Sequence, residues 1–178
     1  EHELLTSATP DGKAETELRR YVSPIEARRM GRQTKAALLS AMKALEAAQI
    51  ATPDAIVVAT HYGMLPEGEK ILCHLRDVGE ENVSPTLFMQ STHNTIAGLL
   101  AIRTKCHGYN ITYSHGTHSL DWAIRDAKRL IAEGKAKNVL VGIYDQCPEG
   151  FKQLFKNSGL QAPAELVARS MVIKKAEP

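Results

Sequence analysis

Gly108-Tyr109-Asn110-Ile111-Thr112-Tyr113-Ser114-His115-Gly116-Thr117-His118-Ser119-Leu120-Asp121-Trp122-Ala123-Ile124 decides the fold of this 178-residue chain. Its first half alternates β-favouring residues. Its second half places Leu120, Ala123, Ile124 and Ala127 on one helical face. The pattern predicts a strand near 109–113, a tight turn at His115-Gly116 and a helix near 117–133. Such an elbow aims one side chain, or the first N–H groups of the helix, at whatever lies above the sheet. Many α/β enzymes keep a nucleophile there, and in this chain the crest is Thr117.

A Thr hydroxyl stays protonated and needs a positioned base. A β-branched side chain also fits poorly into strained elbow backbone. Thr is a favoured N-cap, so the preferred reading is that Thr117 caps the helix. The competing reading makes Thr117 or Ser114 a nucleophile with His115 or His118 as its base. That chemistry requires an oxygen–nitrogen contact of roughly 3 Å, which adjacency in sequence does not supply. His93 and His107 also lie near the elbow in sequence. His115, His118 and Cys106 lack a carboxylate partner and make a poor metal set. No metal and no cofactor is expected. Trp122, in an amphipathic helix, is read as packing.

The length suits one well-cored domain. The chain is 43% apolar and 24% charged, with a net charge of +2. Charge alone supports neither a nucleic-acid nor a membrane partner. No apolar run reaches the ~20 residues of a spanning helix. Cys73, Cys106 and Cys147 are far apart and form no CxxC pair. That usage fits a reducing compartment, so a cytoplasmic protein is expected.

Outward from the elbow, residues 1–22 show no period and are expected to be a flexible arm. Ser23-Pro24-Ile25-Glu26 reads as N-cap, first-turn proline and N3 acid. It opens a helix expected over 24–48. Arg28, Arg29, Arg32 and Lys35 on it are taken first as a solvated face. Residues 55–60 form an apolar run fitting a strand covered on both sides. Residues 67–78 read as a short helix with Ile71, Leu72 and Leu75 inward, and 79–85 as loop. A helix is expected over 90–105, with Ile96, Leu99, Leu100 and Ile102 buried and Gly98 marking a close helix contact. Strands are expected near 138–143 and 167–174, separated by an irregular or partly helical stretch. Alternating strands and helices predict an α/β fold with a helix-covered, mostly parallel sheet and an antiparallel last edge.

Ser84-Pro85-Thr86-Leu87-Phe88-Met89-Gln90, Asn94-Thr95-Ile96-Ala97-Gly98, Gly108-Tyr109-Asn110, the elbow, and Ala132-Glu133-Gly134 before Val139-Leu140-Val141-Gly142 resemble the N-terminal half of β-ketoacyl synthases. Ser23 to Met30 resembles the segment before that family's first long helix. The resemblance implies a thiolase-like fold and a β-ketoacyl synthase N-terminal-like domain over 23–178. It also implies acyl chemistry on acyl carrier protein, and dimerisation through Tyr109, Asn110, Ile111, Thr112 and Tyr113. Counted from Gly108, Thr117 stands where the family carries its acyl-accepting Cys. The family's downstream histidines and lysine belong to a half that this sequence does not contain.

By that resemblance the chain is similar to chain-length factors, the ketosynthase partners that lack the Cys. The implied role is a non-catalytic subunit of fatty-acid or polyketide/aryl-polyene-type biosynthesis, paired with itself or with a ketosynthase. Phe88, Met89, Asn94 and Ile96 become candidates for an acyl-tunnel or interface wall. Arg28, Arg29, Arg32 and Lys35 become a candidate carrier-protein patch. The alternative is an acyl-thioester transferase or hydrolase built on Thr117 or Ser114.

Overall fold

The computed structural model describes residues 12–159 and 165–175. Its centre is β1 (Ala55–Thr60), buried at all six positions. β2 (Tyr109–Ser114) and β3 (Asn138–Gln146) pair with it in parallel on either side. β4 (Leu166–Lys174) runs antiparallel to β3, giving the order β2-β1-β3-β4. The expected mixed sheet with an antiparallel last edge is present.

Alternation along the strands feeds two cores. Ile56, Val58, Leu140 and Tyr144 face α3 (Arg32–Ala47) and α6 (Thr95–Thr104). Ala55, Val57, Ala59, Val139, Val141 and Ile143 face α7 (Ser119–Ala132), which buries Ala123, Ala127 and Leu130. α3 is a fully committed core helix: Ala36, Ala37, Leu38, Leu39, Ala41, Ala44 and Leu45 are all buried. Its small residues let it lie close on the sheet.

The remaining helices are α1 (Gly12–Leu18), α2 (Pro24–Arg28), α4 (Leu65–Val78), α5 (Pro85–Gln90) and α8 (Glu149–Asn157). Several differ from expectation. Residues 1–11 of the expected arm lie outside the described residues. Over 12–22 the chain is instead α1 and a turn, with Leu18 and Val22 buried in the core. The helix expected over 24–48 is two helices, because Gly31 takes an extended conformation as the N-cap of α3. A Cβ at Gly31 would lie 2.5 Å from a Glu67 carboxyl oxygen, so a larger residue at this junction would require the Glu67 side chain to shift.

The helix expected over 90–105 is α5 and α6 with Ser91–Asn94 between them. α5 starts with Ser84 accepting from Leu87 N–H and Pro85 in the first turn, inside the stretch read as loop. Leu72 and Ile102, expected inside, are exposed, Ile102 at 77%. Trp122 is also exposed, with the Arg125 guanidinium 5.7 Å from its ring centre. Gly98 meets no helix: a Cβ there would find nothing within 4 Å.

Candidate functional site

The elbow forms where β2 ends beside β1, with Ser114 opposite Thr60. Gly116 adopts φ +55°, the left-handed turn conformation that glycine tolerates best. Gly116–His118 make one 3-10 turn and α7 begins at Ser119. Ser119, fully buried, holds this junction. Its hydroxyl accepts the His115 N–H at 2.7 Å and shares its own proton between the carbonyls of Thr60 and Gly116, each at 2.8 Å.

Thr117 is not the cap that was expected. It sits exposed in the 3-10 turn, and no side chain caps the start of α7. Ser119 satisfies the local backbone from inside instead. Ser114 is exposed too. The His115 and His118 rings are 6.3 Å apart, and His118 Nδ1 lies 4.0 Å from Asp121 in solvent. Among the described residues no hydrogen bond joins the Thr117 or Ser114 hydroxyl to an imidazole. The elbow brings the four residues together in the chain without assembling them for proton transfer.

Beside the elbow, at the carboxyl ends of β1 and β3, lies a buried polar group that sequence reasoning passed over. Asp145 is 1% exposed. It accepts from the Thr60 hydroxyl at 2.7 Å, from His61 N–H at 2.9 and 3.1 Å, and from Tyr62 N–H at 3.3 Å. His61 Nδ1 stands 3.5 Å away. Thr60 Oγ1 also accepts from Gly63 N–H, and Gln33 donates to the carbonyls of Gly63 and Tyr144. Burial pushes the Asp145 carboxyl up, against the pull of Thr60 and His61. From sequence Asp145 lay just past the strand expected over 138–143; β3 runs on to Gln146 and carries it into the core.

β2 is an edge strand. One side pairs with β1, and the chain supplies no strand to the other among the described residues. The expected edge residues are held from behind. Tyr109 donates to Asp126 at 2.9 Å, and Arg129 closes on the same carboxylate at 2.6 Å. Asn110 donates to Ala97 O at 3.0 Å. Burial and the Asp126 contact push the Tyr109 phenol up to about 12. Ile111, Thr112 and Tyr113 are half-buried.

A cavity of about 490 Å³ opens between the start of α3 and helices α4, α5 and α6. Of the residues expected to wall an acyl tunnel or interface, Met89 and Asn94 line this cavity. Ile96 points into the core instead, and Phe88 is exposed at 61% and does not line the cavity. Glu67, with its side chain 5% exposed, also lines it. Burial raises its carboxyl despite Lys70 at 3.6 Å.

The four expected basic residues have different neighbours. Arg28 and Lys35 share a shallow concavity with Arg19, Arg29 faces the larger cavity, and Arg32 pairs with Glu165 at 2.5 Å. Among the described residues no cluster of His, Cys, Asp and Glu could hold a metal ion, and no helix is long and apolar enough to cross a membrane.

The β-ketoacyl synthase N-terminal domain model matches residues 5–177. No curated protein matches the chain. Solved structures of similar fold include a ketosynthase in complex with its chain length factor from Xenorhabdus doucetiae, 24% identical over 87% of this chain with a TM-score of 0.73. Another is the ishigamide ketosynthase/chain length factor, 22% identical over 89% with a TM-score of 0.74. A third is a type II polyketide synthase acyl-carrier protein in complex with its ketosynthase bound to the hexaketide, 16% identical over 92% with a TM-score of 0.74. The chain spans 62%, 48% and 56% of those three chains, respectively. At such identities the likeness concerns fold: a mixed sheet, helices on both faces and the strand–elbow–helix. With the family match running nearly end to end, the chain belongs to the β-ketoacyl synthase N-terminal domain family.

Proposed function

We propose that the chain is a non-catalytic, ketosynthase-like subunit of fatty-acid or polyketide/aryl-polyene-type biosynthesis in the cytoplasm. Residues 23–178 act as its single β-ketoacyl synthase N-terminal-like domain. The observation that carries the reading is the pairing of an uncovered edge strand with an elbow that holds no assembled nucleophile. Tyr109–Ser114 present a row of outward N–H and C=O groups, and such an edge pairs readily with another strand. Behind that edge, Tyr109, Asp126 and Arg129 lock β2 to α7, so the strand is offered in a fixed position.

Thr117 supports the same reading from the chemical side. Its hydroxyl lies in solvent, with no base placed to deprotonate it. The partner is a second copy or a ketosynthase, and its role for this chain is to complete a dimer and shape the acyl path near Met89 and Asn94. Acyl carrier protein, an acidic partner, meets the chain at Arg28 and Lys35, the two members of the basic set that stay together.

The test is reconstitution. A ketosynthase encoded beside this chain is assayed with acyl carrier protein, with and without the chain, and product length and rate are compared. Unchanged products and rate, with a monomer by light scattering, end this reading. Intact-mass spectrometry after incubation with acyl carrier protein thioesters tests the transferase or hydrolase alternative. An adduct on Thr117 or Ser114 that disappears in the Ala variant would establish that alternative.

A further inference from the structure

We propose that the concavity at the amino ends of β1, β2 and β3 binds a small phosphate-class anion of two or more charges, such as a diphosphate, through Lys105, His107 and Lys137. The space measures about 540 Å³ and is lined by the loops that enter the three strands. It lies at the opposite end of the parallel strands from the elbow, so the inference does not depend on the pairing role above.

Three observations converge. The first is charge. Lys105, His107, Lys135 and Lys137 line the concavity, and Lys175 is brought alongside by its N–H bond to the Lys137 carbonyl at 2.9 Å. Lys135 pairs with Glu133 at 2.8 Å, a carboxylate that Arg129 shares at 3.0 Å. Among the described residues neither Lys105 nor Lys137 has a carboxylate partner. The one acid in the lining, Asp54, is engaged by other donors: it accepts from Lys137 N–H at 2.7 Å and from Asn138 N–H and Nδ2 at 3.1 Å each. A hollow lined by unpaired charge of one sign concentrates the opposite sign within it.

The second observation is a fixed frame. Asn138 Oδ1 accepts from Asp54 N–H at 3.1 Å, which closes a reciprocal tie between the loops before β1 and β3. The loop before β2 is held as closely, since a Cβ on Gly108 would lie 1.9 Å from the backbone oxygen of Asp54. The backbone from which each cation projects is therefore set before a ligand arrives, which lowers the ordering cost of binding.

The third is the conformation of Lys105. α6 ends there at φ +53°, the left-handed position where helices commonly use glycine because a Cβ is unfavourable. The left-handed residue after α7, Gly134 at φ +69°, is a glycine. Gln49 is the one other non-glycine residue so placed among the described residues. A cation anywhere in the last turn of α6 would complement the helix dipole. Lysine at the left-handed residue instead forgoes the conformational gain of glycine and puts a side chain at the hollow.

The residue types favour a phosphate-class ligand. Lysines bind phosphate as point charges and need no planar, bidentate partner. An anion with two or more charges can meet several of them at once.

Isothermal titration calorimetry of the full chain with sodium pyrophosphate in low-salt buffer reads this directly. Saturable binding at one site is expected, weakened by added sodium chloride. Lys137→Ala and Lys105→Gly should each weaken pyrophosphate by about tenfold, the value of one charge-assisted contact. Lys105→Gly should also move the urea midpoint upward, because glycine relieves the left-handed backbone. Lys128→Ala removes an exposed lysine of α7 that does not line the hollow, and should bind within about twofold of wild type. ADP is the second probe: tighter binding than pyrophosphate assigns the diphosphate to the tail of a nucleotide, and weaker binding assigns it to the free anion, both in support of the site. No saturable binding of pyrophosphate, an equal loss in Lys128→Ala, full affinity in Lys105→Gly, or a urea midpoint in Lys105→Gly no higher than wild type would each overturn the proposal.

Discussion

Asp145 and Glu67 are both buried carboxyl groups, and the structure treats them in opposite ways. Asp145, at the ends of β1 and β3, collects a hydroxyl and the N–H groups of His61 and Tyr62. Glu67, on α4, has one oxygen with no partner at all. Burial raises the pKa of both. The difference lies in solvation by the protein: one carboxyl organises the backbone around it, and the other keeps one oxygen buried without a partner. A buried charge with a full set of donors is part of the architecture. The same group without them marks a place where the fold is incomplete by itself.

Removing each carboxyl sharpens the contrast. Asp145→Leu should lose about 3–5 kcal/mol in urea unfolding, since three donors are stranded in the core. Retention of wild-type stability would end the architectural reading of the strand ends. Glu67→Leu should change stability in the opposite direction, gaining about 1–3 kcal/mol by removing an uncompensated polar group. The gain depends on pH with a fixed sign. Because the folded-state pKa of Glu67 is raised, its favourable contribution is present at acid pH and fades as pH rises through that value. The advantage of Glu67→Leu therefore grows on going upward from about pH 4.5, the ordinary value for the group. An advantage that shrinks with rising pH would show that Glu67 is stabilised as the anion.

Smaller changes probe the edges of the comparison. Gly98→Ala should raise stability by about 0.5–1 kcal/mol, measured by thermal or urea unfolding, because the methyl group meets open space. Thr117→Ala should fall within about 0.5 kcal/mol of wild type, as expected for an exposed side chain with no cap to lose. A clearly larger loss would restore Thr117 as a structural residue of the elbow.

The central strands were readable because burial on two faces leaves continuous apolar runs, and the outer strands because their residues alternate. Residues 55–60, 109–113, 138–143 and 167–174 lie within β1, β2, β3 and β4, and the last strand is antiparallel as expected, although the connection read as irregular or partly helical contains the nine-residue α8. The helix over 117–133 was also legible, since α7 carries a clean apolar face. Less readable were breaks set by single residues in tertiary context. Gly31, extended as the N-cap of α3, divides α2 from α3, and nothing local announces the Glu67 carboxyl that packs beside it. The Ser84-Pro85 start of α5 carried the same signature as Ser23-Pro24 and was passed over, so that error lay in the reading.

The candidate site divided in the same manner. β2 as an edge was implied by the family resemblance alone, and the strand order β2-β1-β3-β4 leaves it at the edge. The cavity did not, because it depends on four helices separated by up to about seventy residues of sequence meeting around a missing side chain. Ile102 looked like core because α6 is apolar nearly all round, yet only one of its faces packs.

The parallel pairing of β1 has a further consequence for how the chain comes off the ribosome. Both neighbours of β1 lie far downstream, β2 from residue 109 and β3 from residue 138 to 146. At synthesis rates of about 5–20 residues per second, the five apolar residues of β1 wait roughly 4–17 s for both partners. During that interval the most aggregation-prone segment of the molecule has only helices available to shield it. Slower translation between residues 60 and 146 lengthens that interval and should lower the yield of this domain.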